Sequence, residues 1–366
     1  MKPDELMKKI AVVTSGGDSE GMNKAVVSVV RTASRYGITV YGVKGGYLGL
    51  IETPETPDGD FVLLDPGAAL NIADLPGTFL GTARCDEFRK PEVRAKCAGL
   101  LKRLHYDGLV VIGGDGSMTG AGYLCELGIP CIGIPGTIDN DLGYTEKTVG
   151  FDTAVNTCLG AVRAVRATSR SHYRAHVVEV MGRHSGNIAV ATAAAGADIV
   201  MVPEHPMPLT TVVAALKRQV AQGNRCPIIV AAEGCWNDWP ELASFDVAGF
   251  LYPDGKKNAV TGERQEVKGL SMNAEYFAKI LEILSGVEVR HTVVGYAQRG
   301  GIPTADDSVF AFKAGEMAVQ LLRAGKKNLT IGIRDGRVFN MSISEALSIP
   351  RRFDEELYRL IWAGDE

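Results

Sequence analysis

Two short apolar runs, Leu109-Val110-Val111-Ile112 and Cys131-Ile132-Gly133-Ile134, each lead into a glycine-bearing acidic block. The first is followed by Gly113-Gly114-Asp115-Gly116-Ser117, the second by Gly136-Thr137-Ile138-Asp139-Asn140-Asp141. Continuous apolar runs of this length, rich in β-branched residues, read as strands buried on both faces, as in a parallel sheet. Open α/β sheets bind ligands at the carboxyl edge of their strands, so both blocks belong at such an edge. Equivalent runs recur at Ile10 to Val13, Thr39 to Val43, His176 to Val180, Ile199 to Val202, Ile228 to Ala231 and Thr292 to Val294, separated by segments with helical spacing. The expected fold class is therefore α/β, as two stacked three-layer α/β domains with mostly parallel sheets and the site between them.

With 366 residues, 46% of them hydrophobic, the chain can bury about two domains of ordinary size. A net charge of −4 offers no general attraction for nucleic acid or an anionic membrane, so any anion must be bound by a local site. The seven cysteines are odd in number and lack the CxxC spacing of zinc or redox motifs, which suits reduced thiols in a cytoplasmic protein. The first nine residues carry charges of both signs and no apolar h-region, so neither export nor membrane anchoring is expected. Residues 51–76 read as a long loop, 236–269 as an irregular stretch, and 273–284 as an amphipathic helix.

One crevice holding bare glycine N–H groups and three carboxylates suits phosphoryl transfer: backbone to cradle phosphate, one aspartate for magnesium, another to take a hydroxyl proton. Asp139 and Asp141, at i and i+2, project from the same side if the backbone there is extended. Thr14-Ser15-Gly16-Gly17-Asp18 follows the first strand and Gly21-Met22-Asn23 opens a helix, which makes either an anion pocket or a plain tight turn. Gly77 to Arg84 places an arginine at the end of a glycine-bounded loop, as a phosphate clamp or on a solvated face. Arg174, Arg183, Arg290 and Arg299 stand at strand edges near glycines, whereas Arg163, Arg166 and Arg170, at helical spacing, read as a solvated or subunit-facing stripe. Glu233 either accepts hydrogen bonds from sugar hydroxyls or caps a helix.

Taken together, the blocks TSGGD…GMN, GTFLGTAR, IGGDGS, GTIDND, VVEVMGR and QRGG closely resemble the 6-phosphofructokinases, in that family's order and over nearly the whole chain. The resemblance implies that Gly16, Arg84, Cys85, Gly114, Asp115, Gly116 and Ser117 bind ATP, with Asp115 the Mg2+ ligand. It implies Asp139 as the base at the sugar 1-hydroxyl, flanked by Thr137 and Asp141, and Arg183 as the group that steadies the moving phosphoryl charge. Thr137, Asp139, Met181, Gly182, Arg183, Glu233, Tyr296 and Arg299 would contact fructose 6-phosphate. Arg174 and Arg290 match arginines given to the sugar phosphate by a neighbouring subunit, so a homo-oligomer, dimer or tetramer, with shared active sites is implied. Residues 1–150 plus about 300–345 would form the nucleotide domain, and about 151–299 plus 346–366 the sugar-phosphate domain.

Family members that use pyrophosphate typically carry Asp after GGD and Lys before TIDND; Gly116 and Gly136 stand there instead, so ATP is the expected donor. The alternative is a pyrophosphate-dependent or broader-specificity sugar-phosphate kinase of the same fold. Ser19-Glu20 replaces a common Ala-Pro and adds negative charge near the donor loop, and Tyr296 replaces a usual histidine. Charged residues of the ADP and phosphoenolpyruvate effector site align with Val27, Ile199 and Asn224, which implies weak control of that kind.

Overall fold

The structure, a computed structural model, describes residues 7–53, 56–257 and 264–362. Parts of the expectations for the amino terminus, for 51–76, for 236–269 and for the carboxyl end therefore lie outside the described residues. The chain divides into two compact units, Met1–Ala154 with Arg299–Arg352, and Val155–Gln298 with Phe353–Glu366.

In the first unit, strands β1 (Lys9–Ser15), β2 (Thr39–Val43), β3 (Phe61–Leu63), β4 (Gly108–Gly113), β5 (Cys131–Pro135), β12 (Leu329–Arg334) and β13 (Arg337–Ser342) form one sheet. Their order is β13-β12-β5-β4-β1-β2-β3, parallel except for the two edge strands β3 and β13. Side chains alternate across a strand, and here both faces are covered. Ile10 and Val12 pack with Val26 and Val30 of helix α1 (Met22–Ser34) and Phe310 and Ala314 of α12 (Ala305–Arg323). Ala11 and Val13 face the other way, onto Leu101 of α3 (Pro91–Arg103) and Met118 of α4 (Asp115–Glu126). All four β1 residues are fully buried, at roughly 1.5–3 kcal/mol for each large side chain. Met22, Val26, Val29, Val30 and Ala33 give α1 its buried stripe. The helix ends where Gly37, at φ +69°, donates back to the Ser34 carbonyl.

Two features depart from the sequence reading. The expected loop at 51–76 contains the edge strand β3, the helical turn α2 (Pro66–Ala69) and a tighter turn at Leu70–Ile72; a three-residue, half-exposed strand is too short to show a period. The β12–β13 hairpin, absent from the expected strands, turns on Asp335-Gly336, both at positive φ, with Arg334 opposite Arg337. Asp-Gly is the residue pair that such a two-residue hairpin turn prefers.

In the second unit, β6 (Ala175–Val180), β7 (Ile199–Met201), β8 (Ile228–Ala232) and β11 (Val289–Val293) form an all-parallel sheet in the order β11-β6-β8-β7. Helices α6 (Asn187–Gly196), α7 (Leu209–Ala221), α11 (Ala274–Ser285) and α14 (Glu355–Trp362) belong to it. The helix expected over 273–284 starts after Asn273, whose side chain accepts from the Tyr276 N–H, and stops at Gly286, at φ +72°. Among its described residues the irregular stretch holds three short helices, α8 (Cys235–Asp238), α9 (Pro240–Ala243) and α10 (Val247–Leu251), and a two-residue strand pair, β9 (Lys256–Lys257) with β10 (Arg264–Gln265). The boundary between the units falls inside α5 (Phe151–His172). The arginine stripe on α5 needs one correction. Arg166 is only partly solvated, its side chain 21% exposed: it donates to the Gly196 carbonyl at 2.7 Å and to Asp198 Oδ2 at 3.1 Å.

Candidate active site

Strand register brings the loops of the first unit together. Ser15 of β1 lies opposite Gly113 of β4, and Gly113 opposite Pro135 of β5, so three glycine-bearing loops leave adjacent strands at one level. Adjacent strands are about 4.8 Å apart, which puts all three loop starts within roughly 10 Å. A Cβ on Gly113 would sit 2.4 Å from the Ser15 carbonyl oxygen, so only glycine permits this approach. Ser117 Oγ then donates to that same oxygen at 3.0 Å. Asp115 is the first residue of α4 and its side chain is exposed, where helix N–H groups also face outward.

The Gly77 to Arg84 loop is fastened to the first loop by several bonds. Thr78 Oγ1 donates to Thr14 Oγ1 at 2.8 Å, Thr14 Oγ1 to the Gly81 carbonyl at 2.9 Å, and Thr82 Oγ1 to the Gly16 carbonyl at 2.8 Å. Asn23, at the start of α1, accepts from the Phe79 N–H at 2.7 Å. This places Gly16, Arg84 and Cys85 on joined segments, with Arg84 exposed. Burial pushes the Cys85 thiol up, and Glu87 and Asp86 add to it.

The third block is folded back on itself. Thr137 N–H donates to the Val149 carbonyl at 3.2 Å, Thr148 Oγ1 to the Thr137 carbonyl at 2.6 Å, and Asp139 N–H to Thr137 Oγ1 at 3.3 Å. Asn140 stands at φ +48°, so the backbone between Asp139 and Asp141 is a left-handed turn and not the extended segment supposed from their spacing. Asp141 and Asp115 line one cavity of about 250 Å3, walled by Leu142, Tyr144 and Ile349. Arg351 Nε approaches Asp141 Oδ2 at 3.6 Å. Magnesium takes one or two protein carboxylates and completes its shell with phosphate oxygens and water. Two carboxylates on one cavity wall fit that donor set.

Two buried carboxylates escaped the sequence reading in their environment or altogether. Asp307, in the first turn of α12, accepts from the Gly150 and Thr153 N–H groups at 2.8 Å each and from Thr153 Oγ1 at 2.6 Å, fixing the chain just past the acidic block. Burial raises its pKa to about 6 against those donors. A lone acidic residue in a first helical turn gives no sequence signal beyond complementing the helix dipole. Glu20 is fully buried, and neither carboxylate oxygen has a hydrogen-bond partner; nor has the neighbouring Ser19 hydroxyl. Burial raises the Glu20 pKa to about 7; Asp18 and Asp307 add to the rise, while its own N–H and Arg299 oppose it. The charge foreseen beside the donor loop is thus enclosed. Arg299 belongs to the first unit and donates to the Asp18 carbonyl, with Nη1 3.8 Å from Asp18 Oδ1.

In the second unit, the carboxyl ends of β6 and β8 present a second set. Gly182 stands at φ +137° and Arg183 at φ +55°, a turn held by the Arg183 N–H donating to Glu233 Oε1 at 2.9 Å. Positive φ at a non-glycine residue costs energy and tends to mark functional positions. The Arg183 side chain is exposed. Glu233 is therefore a turn anchor in this structure, not a helix cap. Gln298, fully buried, accepts from the Met181 N–H at 3.1 Å and donates to the Gly295 carbonyl at 3.0 Å. It links Met181 to the turn that carries Tyr296, which is 81% exposed. The glutamine of the QRGG block drew no role from sequence alone.

Arg174 and Arg290 are not part of that set. Arg174 precedes β6 and Arg290 is the second residue of β11, so both stand at the amino-terminal ends of strands whose carboxyl ends carry Met181 and Tyr296. Both reach Glu288, at 3.5 and 2.7 Å. The six residues of β6 separate them from Arg183 by about 20 Å, at about 3.3 Å per residue. Val27 and Ile199, aligned with effector-site charges, are core residues.

A sequence model of the family described as Phosphofructokinase matches residues 9–322. The "ATP-dependent 6-phosphofructokinase 1" of Clostridium perfringens (strain 13 / Type A) is 44% identical over 355 residues, 97% of this chain and 98% of that protein. The "ATP-dependent 6-phosphofructokinase" of Alkaliphilus metalliredigens (strain QYMF) is 42% identical over 355 residues, with the same shares. Among solved structures, phosphofructokinase from Saccharomyces cerevisiae superposes with a TM-score of 0.79 at 31% identity over 97% of this chain, which spans 50% of the yeast chain. Among the described residues no helix is long and apolar enough to cross a membrane. The motifs, the doubled α/β architecture and these matches agree, and the chain belongs to the phosphofructokinase family.

Proposed function

We propose that the chain is an ATP-dependent 6-phosphofructokinase, moving the γ-phosphoryl group of ATP to the 1-hydroxyl of fructose 6-phosphate to give fructose 1,6-bisphosphate and ADP, a glycolytic step of the cytoplasm. The observation that carries this reading is the register that sets the Gly16, Asp115 and Asp139 loops side by side at one sheet edge. Gly16, Gly114 and Gly116 offer backbone groups to the nucleotide phosphates, with Ser117 holding the loop through its bond to the Ser15 carbonyl and Arg84 and Cys85 beside them. Asp115, with Asp141, would hold Mg2+, which supplies charge neutralisation on the phosphate oxygens. Asp139 takes the proton from the attacking hydroxyl, and Thr137 orients its loop. Arg183 stabilises the charge of the transferring group. Met181, Gly182, Glu233, Tyr296 and Arg299 bind the sugar phosphate. On this reading the first unit is the nucleotide domain and the second the sugar-phosphate domain.

Donor choice has its own support. A Cβ on Gly116 would meet nothing within 4 Å, leaving room for a nucleotide where a carboxylate would repel its phosphate. A Cβ on Gly136 would lie 3.0 Å from Met22 Cε and 3.1 Å from Ile112 Cγ2, so the lysine of the pyrophosphate pattern is poorly accommodated. The placement of Arg174 and Arg290 at the far strand ends supports a homo-oligomer in which they serve a neighbouring copy's site. The effector-site replacements support weak control by ADP and phosphoenolpyruvate. The test is a coupled assay with fructose 6-phosphate and magnesium, comparing ATP with pyrophosphate. Faster turnover with ATP is expected; faster turnover with pyrophosphate would reverse the donor assignment, and none with either would remove the sugar substrate.

A further inference from the structure

The turn that carries Arg183 is strained, so neighbouring groups must hold it. Arg183 stands at φ +55°, and a Cβ on Gly182, at φ +137°, would fall 2.1 Å from the Ser185 carbonyl oxygen. The ends of β6, β8 and β7 lie at one level, since Val180 is opposite Ala232 and Ala231 opposite Met201. Segments leaving β8 and β7 can therefore reach the turn that leaves β6. Beyond β8, Glu233 Oε1 accepts from the Arg183 N–H at 2.9 Å. A Cβ on Gly234 would fall 2.2 Å from the Arg183 carbonyl oxygen, so only glycine passes there. Beyond β7, Glu204, half-buried, reaches back along the sheet edge, and its Oε1 and Oε2 accept from the Gly186 N–H at 2.8 and 3.1 Å. Gly186 is the N-cap of α6, and a Cβ on it would lie 2.7 Å from Glu204 Oε2. Between the two carboxylates the Ser185 N–H closes the turn on the Gly182 carbonyl at 2.7 Å.

We propose, resting on the role of Arg183 in phosphoryl transfer, that Glu204 is a positioning residue: it fixes the far side of the turn and thereby the direction in which Arg183 presents its guanidinium. The two anchoring carboxylates differ in what their removal reports. Glu233 is also assigned to the sugar phosphate, so its loss would alter binding and positioning together. Glu204 grips backbone three residues past Arg183, and its loss frees the turn without removing a group assigned to a substrate. A freed Arg183 relaxes from positive φ toward the common negative region, which swings its side chain to a new direction. A misplacement of about 1 Å at a reacting centre can cost roughly 100-fold in rate.

Initial rates of the full-length protein, with ATP and fructose 6-phosphate varied in turn, test this in wild type, Glu204→Ala, Arg183→Ala and the double variant. Glu204→Ala should lower kcat by about 10-fold to 100-fold with KM for ATP unchanged. Glu204→Gln, whose amide oxygen still accepts from the Gly186 N–H, should recover most of that rate. In the Arg183→Ala background, Glu204→Ala should cost nothing further, because its effect runs through the guanidinium. Glu204→Leu, which keeps the bulk and lacks the acceptor, takes the same place in the cycle if the alanine variant fails to fold. An unchanged kcat without the Glu204 carboxylate would overturn the proposal. An equal loss in both backgrounds would do the same, since a general loosening of the fold does not depend on Arg183. Wild-type turnover in Arg183→Ala would remove the role given to Arg183 and the proposal with it, whereas a slow Arg183→Ala beside an unaffected Glu204→Ala removes the proposal alone.

Discussion

Replacing Glu20 by Gln tests whether a buried, unpartnered carboxylate strains the first unit. The side chain is fully buried and its pKa is raised from 4.5 to about 7, by burial first and then by Asp18 and Asp307. A raised acid binds its proton more tightly in the folded chain. Folding therefore carries no penalty from Glu20 below about pH 4.5, and the penalty grows from there to about pH 7. Above that it levels off at about 3 kcal/mol, from about 1.4 kcal/mol per pH unit over that interval, which is an upper limit because solvent relaxation lowers it. Gln keeps the shape without the charge. Thermal unfolding followed from pH 5 to pH 8 should show the variant close to wild type at pH 5 and several degrees more stable at pH 8, with the gap opening between. A gap that is the same at both pH values, or a variant less stable at pH 8, would refute the argument, since a packing effect does not titrate.

Asp139→Ser should leave substrate binding largely intact while lowering turnover by roughly 100-fold to 10,000-fold, the usual worth of a general base; an unchanged turnover removes Asp139 from the mechanism. Arg290→Ala and Asp139→Ser copies, each nearly inactive, should recover up to about a quarter of wild-type activity when mixed as hybrid dimers, because one site of each hybrid is intact if sites are shared. No recovery in confirmed hybrids would refute sharing. Gly113→Ala should destabilise the chain by roughly 1–3 kcal/mol through overpacking, and raise KM for ATP, since the new Cβ would fall 2.4 Å from the Ser15 carbonyl oxygen; unfolding curves and initial rates check both.

The amount legible in the sequence differed by kind of interaction. Strands β1, β4, β5 and β8 announced themselves because burial on both faces demands an unbroken apolar run, as in Leu109 to Ile112. Strand β3 did not, since three half-exposed residues at an edge need no such run. The β12–β13 hairpin had a readable sign in Asp335-Gly336 that strand counting overlooked. Within the site, Gly16, Asp115 and Asp139 could be named because phosphate chemistry asks for glycine and carboxylate in short local blocks. Asp307 and Gln298 could not, because their partners lie far off in the chain: Gly150 and Thr153 for the first, Met181 for the second.

Local chemistry is written in order along the chain, so the residues alone determined the α/β class, the family and the set of candidate glycines, carboxylates and arginines for the site. The sheet register that aligns Ser15, Gly113 and Pro135, the left-handed turn that reorients Asp141 and the enclosure of Glu20 were decided only by tertiary structure. Register and burial depend on contacts between residues distant in sequence, and a side chain's charge state follows from those contacts rather than from its neighbours in the chain.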